Sequence, residues 1–208
     1  MEWETFLDDR THHNVYVSAL VYMPTIKIIR SIAKPGDLIL EAGCGSGRTA
    51  ILLTDMGYRV VAVDKSSILL NRLSAITAFL PDLKPVSADI GHIPFREKTF
   101  KIAYSCGVLE HFDQPEIVEY LREQKKVCTY VLVDVPNDRC KKQCFGDERF
   151  YTDEEWIAMF DEAGLTVKKS LHRGLDKGKY VGNCSVFLAA DKEDVTEIQE
   201  EKDVYDYY

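Results

Sequence analysis

The chain has 208 residues, which fits one domain with room for a β-sheet covered on both faces. The hydrophobic fraction of 46% is ordinary for a globular protein, and no run of about 18 apolar residues is present to span a bilayer. Of the formal net charge of −8, residues 191–208 carry −6 through eight acids and two lysines. The remaining, nearly neutral body disfavours nucleic acid as a substrate.

The start of the chain lacks the basic and then apolar order of a secretory signal, so we expect a soluble, cytoplasmic protein. The six cysteines show no disulfide-framework spacing, which predicts reduced thiols. Cys140 and Cys144 could supply two zinc ligands, but no second pair stands at a suitable spacing. We therefore expect no metal site.

Residues 1–34 predict a helical preface, because apolar side chains recur with a rough period of 3.6 residues. Pro24 interrupts the pattern, so two helices are expected there. The chain then divides into a single domain over residues 35–190 and an acidic tail over 191–208, whose composition predicts little packing against the core.

Within that domain, five apolar runs alternate with helical patterns, which predicts an α/β fold with a doubly wound, parallel sheet. A final pair of strands follows the last predicted helix. The predicted strands are 38–42, 59–63, 84–88, 100–105, 129–135, 165–172 and 184–190, and the predicted helices begin near residues 48, 66, 113 and 152. Ser66, Asp113 with Glu116, and Thr152 with Glu155 are the expected helix caps. Residues 137–151 have no period and are expected to form a long loop.

The first strand ends in an acid, Glu41, and is followed by glycines at three alternate positions, Gly43, Gly45 and Gly47. Glycine tolerates positive φ and lets a ligand approach the backbone, and the opening turn of the next helix presents unpaired N–H groups. The second strand ends in Asp64, at the spacing where βαβ nucleotide sites present a carboxylate to ribose hydroxyls. These features predict a nucleotide-binding turn.

The pattern Glu-x-Gly-x-Gly-x-Gly with Asp64, followed by the stretches 87–95 and 100–112, resembles the class I S-adenosylmethionine-dependent methyltransferases. The resemblance extends from about residue 38 to 137, with a looser match to 164. It implies a Rossmann-like, mostly parallel sheet of seven strands whose final strand is antiparallel, and S-adenosylmethionine as cofactor with S-adenosylhomocysteine as product.

The resemblance also implies where the cofactor lies. Backbone at Gly43, Cys44 and Gly45, in the turn closed by Gly47, would pack against the methionine and ribose portions, with Glu41 beneath the amino end. The remaining implied contacts are Asp64 on the ribose hydroxyls with Lys65 beside it, Asp89 and the Ile90 N–H on the adenine, and the backbone of Ser105 and Cys106 on the methionine amino group.

The acceptor side is less defined by the sequence. His111 follows the fourth strand and is our candidate for a general base, although it could equally pack over the site. Tyr16 is the candidate from the preface, where aromatic and histidine side chains could enclose an acceptor or could simply form core. The other preface candidates are Trp3, His12, His13 and Tyr22, and the cations Arg139, Lys141 and Lys142 could draw in an acidic acceptor.

Two motifs that are missing from the sequence restrict the class of methyl acceptor. The chain reads Ser-Cys-Gly-Val after the fourth strand, without the Asn/Asp-Pro-Pro-aromatic motif of amino-directed DNA methyltransferases, and it has no Pro-Cys nucleophile. We expect a small-molecule or protein acceptor. A nicotinamide dehydrogenase is disfavoured because Gly-x-Gly-x-x-Gly would need glycine where Arg48 stands. A module that binds the cofactor or a partner without catalysis stays open as an alternative.

Overall fold

The computed structural model describes residues 15–140, 143, 146–174 and 183–193, and for residues 15–21 it describes the backbone alone. Trp3, His12, His13, Lys141 and Lys142 lie outside the described residues, as does the tail after residue 193. The helices are α1 (Val15–Ile32), α2 (Arg48–Asp55), α3 (Ser67–Ser74), α4 (Gln114–Val127) and α5 (Asp153–Glu162). The strands are β1 (Leu38–Ala42), β2 (Arg59–Asp64), β3 (Leu83–Ser87), β4 (Phe100–Cys106), β5 (Cys128–Pro136), β6 (Leu165–Gly174) and β7 (Asn183–Asp191).

The seven strands form one sheet in the order β3-β2-β1-β4-β5-β7-β6. β7 runs antiparallel to both of its neighbours, whereas the pairs among β1 to β5 are parallel. The chain starts at the centre, builds outward to β3 and then returns to place β4 beside β1. This confirms the predicted doubly wound fold and opens a crevice at the carboxyl ends of β1 and β4, where such sheets bind ligands.

The central strands are apolar because both of their faces are covered. Successive residues of β1, for example Ile39 and Leu40, belong to two different hydrophobic clusters on opposite sides of the sheet. Val131 and Leu132 of β5 divide in the same way. A continuous apolar run is therefore the required pattern here, and strict alternation would have exposed a polar row to the core.

The three predicted helix caps are confirmed. The side chains of Asp113 and Thr152 accept hydrogen bonds from the backbone N–H three residues on, at 3.1 and 3.2 Å, and each belongs to a complete capping box. Ser66 Oγ accepts from the Leu69 amide at 3.4 Å. These local signals fix where α3, α4 and α5 begin.

The predicted break of the preface at Pro24 was wrong, because α1 continues from residue 15 to 32 with Pro24 inside it. Proline in a helix interior costs roughly 3 kcal/mol through the lost hydrogen bond and the ring clash. Burial of Ile26, Ile28 and Ile29, each 2% exposed or less, is worth roughly 1.5–3 kcal/mol per side chain. Tertiary packing thus outweighs the local penalty.

The helix expected to run from residue 66 to about 79 ends earlier, at Ser74, and a short 3₁₀-helix over Thr77–Phe79 follows. Ile76 and Phe79 pack only partly or hardly at all, being 37% and 85% exposed, so they contribute little to holding a longer helix against the sheet.

Within the described part of the chain, no helix combines the length and apolar character needed to cross a membrane.

Candidate cofactor and acceptor site

The glycine-rich turn lies at the carboxyl end of β1 and all three of its glycines have positive φ, 77° for Gly43, 52° for Gly45 and 70° for Gly47. A Cβ on Gly43 would lie 2.8 Å from the Val108 side chain, and one on Gly47 would lie 2.6 Å from Leu73. Both the backbone conformation and the close packing therefore require glycine at these two positions.

Asp64, at the carboxyl end of β2, holds the turn in place. Its Oδ2 accepts a hydrogen bond from the Gly45 amide at 2.7 Å, and its Oδ1 accepts from the Ser66 amide at 2.8 Å. One carboxylate thus joins the turn after β1 to the start of the segment that leads into α3. Each carboxylate oxygen keeps a second lone-pair direction with which to accept from a ligand hydroxyl.

Glu41 is the buried acid of the turn, with only 5% of its surface exposed. Its Oε2 accepts a hydrogen bond from the Ala50 amide, in the first turn of α2, at 3.0 Å. Burial raises the pKa of Glu41 to about 8. The side chain therefore supports the helix end from beneath, as a carboxyl group in contact with backbone donors.

The other predicted cofactor residues surround the same crevice. Lys65 and Asp89 are exposed at the ends of β2 and β3, and Asp89 Oδ1 accepts from the Gly91 amide at 2.7 Å. Ile90 is half-buried against the core beside them. Cys44 is buried and Cys106 half-buried, and burial raises the pKa of both thiols. Both thiols are therefore kept protonated.

The acceptor side begins with the 3₁₀-helix Leu109–His111 after β4. His111 Nδ1 lies 2.6 Å from Asp147 Oδ1, and the His111 side chain is 10% exposed. Arg149 binds the same segment twice, donating from its amide to the Glu110 carbonyl at 2.7 Å and from Nη1 to the His111 carbonyl at 2.8 Å. The loop after β5 thus closes over the end of β4.

Of the two predicted acceptor-side residues, the structure places His111 at the crevice. Tyr16 lies on the α1 backbone, and its side chain is outside the described residues. Among the residues described, no group of three or more His, Cys, Asp or Glu side chains is arranged to hold a metal ion.

Residues 39–130 match the model of a methyltransferase domain family. The matched segment contains the glycine turn and Asp64, so this part of the chain resembles the class I S-adenosylmethionine-dependent methyltransferases. An uncharacterized methyltransferase of Bacillus subtilis, YodH, is 33% identical over 88 residues, which are 38% of this chain and 35% of that protein. The chain thus spans about a third of the length of this relative.

Two solved methyltransferase structures share the fold. A SAM-dependent methyltransferase from Aquifex aeolicus is 19% identical with a TM-score of 0.70, covering 91% of this chain and 98% of its own. The magnesium protoporphyrin IX methyltransferase of Synechocystis, with bound SAH, is 12% identical with a TM-score of 0.71, covering 91% and 93%. At these identities the likeness shows the methyltransferase fold alone.

Three groups of residues near the crevice were missed by sequence reasoning. The first is Arg48, the first residue of α2, whose half-buried side chain has Nη2 buried without a hydrogen-bond partner. Burial lowers the pKa of Arg48, and the Tyr22 hydroxyl of α1 lies within its electrostatic reach. A guanidinium with an unpartnered Nη2 at a helix N-terminus beside the glycine turn is suited to bind an anion.

The second missed group joins α1 to the sheet. Asp134, fully buried on β5, accepts from Arg173 Nη2 at 2.7 Å and from Arg173 Nε at 3.1 Å, while Thr25 Oγ1 of α1 donates to its Oδ2 at 2.6 Å. The Arg173 guanidinium also lies 5.8 Å from the centre of the Tyr22 ring. These contacts hold α1 across the carboxyl end of β5.

The third is Glu110, which is only 4% exposed. The sequence placed it beside the predicted His111 but gave no sign of its burial.

The signal for Asp134 was present, because it is the one charged residue inside the apolar run 129–135. A charge within a strand buried on both faces requires a partner.

Proposed function

We propose that the chain transfers a methyl group from S-adenosylmethionine to a small-molecule or protein acceptor. The observation that carries this proposal is the glycine turn at the switch point of the sheet, locked at Gly45 to the Asp64 carboxylate at 2.7 Å. The match of residues 39–130 to the methyltransferase domain family supports the same activity. When bound, the cofactor supplies a methyl group made electrophilic by its sulfonium sulfur.

The residues around the crevice fit this cofactor. We propose that Asp64, with Lys65 beside it, binds the ribose hydroxyls, and that Asp89 and the Ile90 amide bind the adenine. The buried Arg48 Nη2, which has no hydrogen-bond partner, suits the methionine carboxylate. The remaining proposed cofactor residues are Glu41, Gly43, Cys44, Gly45, Gly47 and Cys106.

The acceptor is proposed to enter between α1 and the loop after β5. His111, oriented by the 2.6 Å contact of its Nδ1 with Asp147, takes part in removing the acceptor's proton, and Tyr16 covers the pocket from α1. Alignment of the acceptor atom and exclusion of water supply much of the rate in such a displacement. Alanine at either position should preserve cofactor affinity within several-fold and sharply reduce transfer.

Calorimetry with S-adenosylmethionine, S-adenosylhomocysteine and NAD tests the proposal, followed by a screen for methyl release against small acceptors and peptides. We expect the first two compounds to bind and NAD not to bind. Binding without turnover across a broad panel would favour a non-catalytic module.

Asp64→Ala should weaken cofactor binding by roughly 2–3 kcal/mol, because charge-assisted hydrogen bonds are lost. Asp37→Ala is the matched control, since Asp37 also braces a turn by accepting from the Lys34 amide at 2.9 Å, but at the amino end of β1. Unchanged affinity in Asp64→Ala would reject its role.

A further inference from the structure

Glu110 is a buried carboxyl group just beyond the end of β4. Its Oε2 is buried and has no hydrogen-bond partner, in contrast to Glu41, whose carboxylate supports α2. Its Oε1 lies 3.5 Å from the position that a Cβ on Gly107 would occupy, immediately after β4. The carboxyl group is therefore held against the end of β4, beside the switch point of the sheet.

The surroundings of Glu110 are acidic. The charged groups that face it are Asp134 from β5 and Asp147 and Glu148 from the loop after β5, and burial together with these carboxylates raises the pKa of Glu110 to about 8. The imidazole of His111 is adjacent, with Nε2 4.0 Å from Glu110 Oε1. Two cations lie near this segment: Arg173 on β6 is paired with Asp134, and Arg149 donates from Nη1 to the His111 carbonyl at 2.8 Å.

A buried carboxyl with an unsatisfied oxygen among other acids destabilises a fold by desolvation and repulsion. An apolar side chain would avoid that cost, so the presence of an acid beside the crevice indicates a ligand that compensates it. The compensating ligand is cationic, because the site already holds four carboxyl groups.

We propose that the methyl acceptor is an amine that enters as an ammonium ion, and that Glu110 is the residue that binds it and takes its proton. This inference rests on the proposed methyltransferase function and names its acceptor class. Glu110, rather than His111, is then the group that touches the acceptor nitrogen.

The reaction balances with this assignment. The Glu110 carboxylate takes one proton from the ammonium, and the nitrogen lone pair so exposed forms a bond to the methyl carbon. The bond from that carbon to sulfur breaks, and its electron pair stays on sulfur. The products are a methylated ammonium ion, S-adenosylhomocysteine and the protonated Glu110.

The protonated carboxyl group must then lose its proton to water. His111 lies between Glu110 and Asp147, with one ring nitrogen 4.0 Å from the Glu110 carboxyl and the other 2.6 Å from Asp147. The Asp147 side chain is 58% exposed. A small closure of the first gap completes a path from the buried carboxyl to solvent, in which His111 is a positioning and relay residue.

The raised pKa of Glu110 also favours the first proton transfer. An alkyl ammonium titrates near 10.4 and an ordinary carboxyl near 4.3, so a carboxyl with a pKa of about 8 lies much closer to the acid it must deprotonate.

The test uses sinefungin, an analogue of S-adenosylmethionine in which a carbon bearing an amino group replaces the methylated sulfur. Its ammonium occupies the position of the transferred methyl group, so binding reports on Glu110 without a known acceptor. By calorimetry at pH 8.5, the unaltered chain should prefer sinefungin to S-adenosylhomocysteine by about tenfold to a hundredfold, as expected for a charged hydrogen bond. Glu110→Gln should abolish that preference and keep S-adenosylhomocysteine affinity within about threefold.

Glu148→Gln is the matched control, because Glu148 is a buried neighbouring acid whose Oε2 already accepts from the Gly146 amide at 2.8 Å. It should keep the preference for sinefungin. An equal preference in the unaltered chain and in Glu110→Gln would overturn the assignment of Glu110.

Acceptor chemistry is tested with sets of amines, alcohols, phenols and thiols built on the same carbon skeletons. Methyl transfer to amines, lost in Glu110→Gln, supports the inference, and transfer confined to oxygen or sulfur acceptors overturns it. Failure of the unaltered chain to bind S-adenosylmethionine would instead refute the proposed function, so the two failures are distinguishable.

Discussion

Breaking the buried pair between Arg173 and Asp134 should be among the most damaging single changes in the chain. Arg173→Met keeps most of the alkyl side chain but leaves the Asp134 carboxylate, whose side chain is 0% exposed, without its cation. Removing one partner of a buried ion pair typically costs about 3–5 kcal/mol. Since a domain of this size is stable by roughly 5–15 kcal/mol, the loss should be large but measurable.

The two side chains of the pair differ in exposure, so the two single variants should differ in their loss of stability. The Arg173 side chain is 16% exposed, so in Asp134→Asn its guanidinium can reach water and the loss should be smaller. The double variant Arg173→Met with Asp134→Asn should recover much of the stability, because no unpaired charge is left. Urea unfolding of the three variants at pH 7 measures these values. A loss below about 1 kcal/mol in Arg173→Met, or no recovery in the double variant, would refute the reasoning.

Three further outcomes are expected. Gly47→Ala should lower the free energy of unfolding by roughly 2–4 kcal/mol, through the strain of a positive φ and the clash with Leu73. Gly36→Ala has φ 93° and nothing within 4 Å of the new Cβ, so it should show only the cost of the positive φ. Equal losses of the two variants in urea unfolding would contradict the clash. In Glu110→Gln, the free energy of unfolding relative to the unaltered chain should increase by about 4 kcal/mol when the pH is raised from 4.5 to 8.5. The reason is that a carboxyl whose pKa is raised from 4.5 to about 8 on folding destabilises the unaltered chain as pH rises through that interval. A difference in unfolding free energy that does not change with pH would refute the burial argument. Truncation after Glu193 should shift the melting midpoint by no more than about 2 °C, since the residues removed are too polar to bury much surface, and a fall of many degrees would show that they dock.

Much of the fold could be predicted because its signals are local. The capping boxes at Asp113 and Thr152 need only four residues each, and the glycine turn with Asp64 lies within one βαβ unit. The place of β4 beside β1 followed from the family resemblance. The caps and the turn, unlike that strand pairing, are encoded at short sequence separation, where propensity and spacing decide the outcome.

The failures share the opposite property. Pro24 stays inside α1 because tertiary packing of the following residues outweighs its cost, and its neighbour Thr25 bonds Asp134, which is 109 residues away. Arg173 meets Asp134 from 39 residues away, and the sequence shows no pattern that would pair them. Long-range contacts of single polar side chains have no periodicity, so a single sequence does not reveal them.

Three buried acids lie at or just beyond the carboxyl ends of β1, β4 and β5, and their partners separate their roles. Asp134 has a cation and a hydroxyl, so it joins elements of the fold. Glu41 has a backbone amide, so it fixes the turn on which a nucleotide would rest. Glu110 alone keeps a buried oxygen without a partner. A buried acid without a partner destabilises the fold. We therefore infer that a substrate cation compensates Glu110 when it binds, and that the proton transfer takes place there.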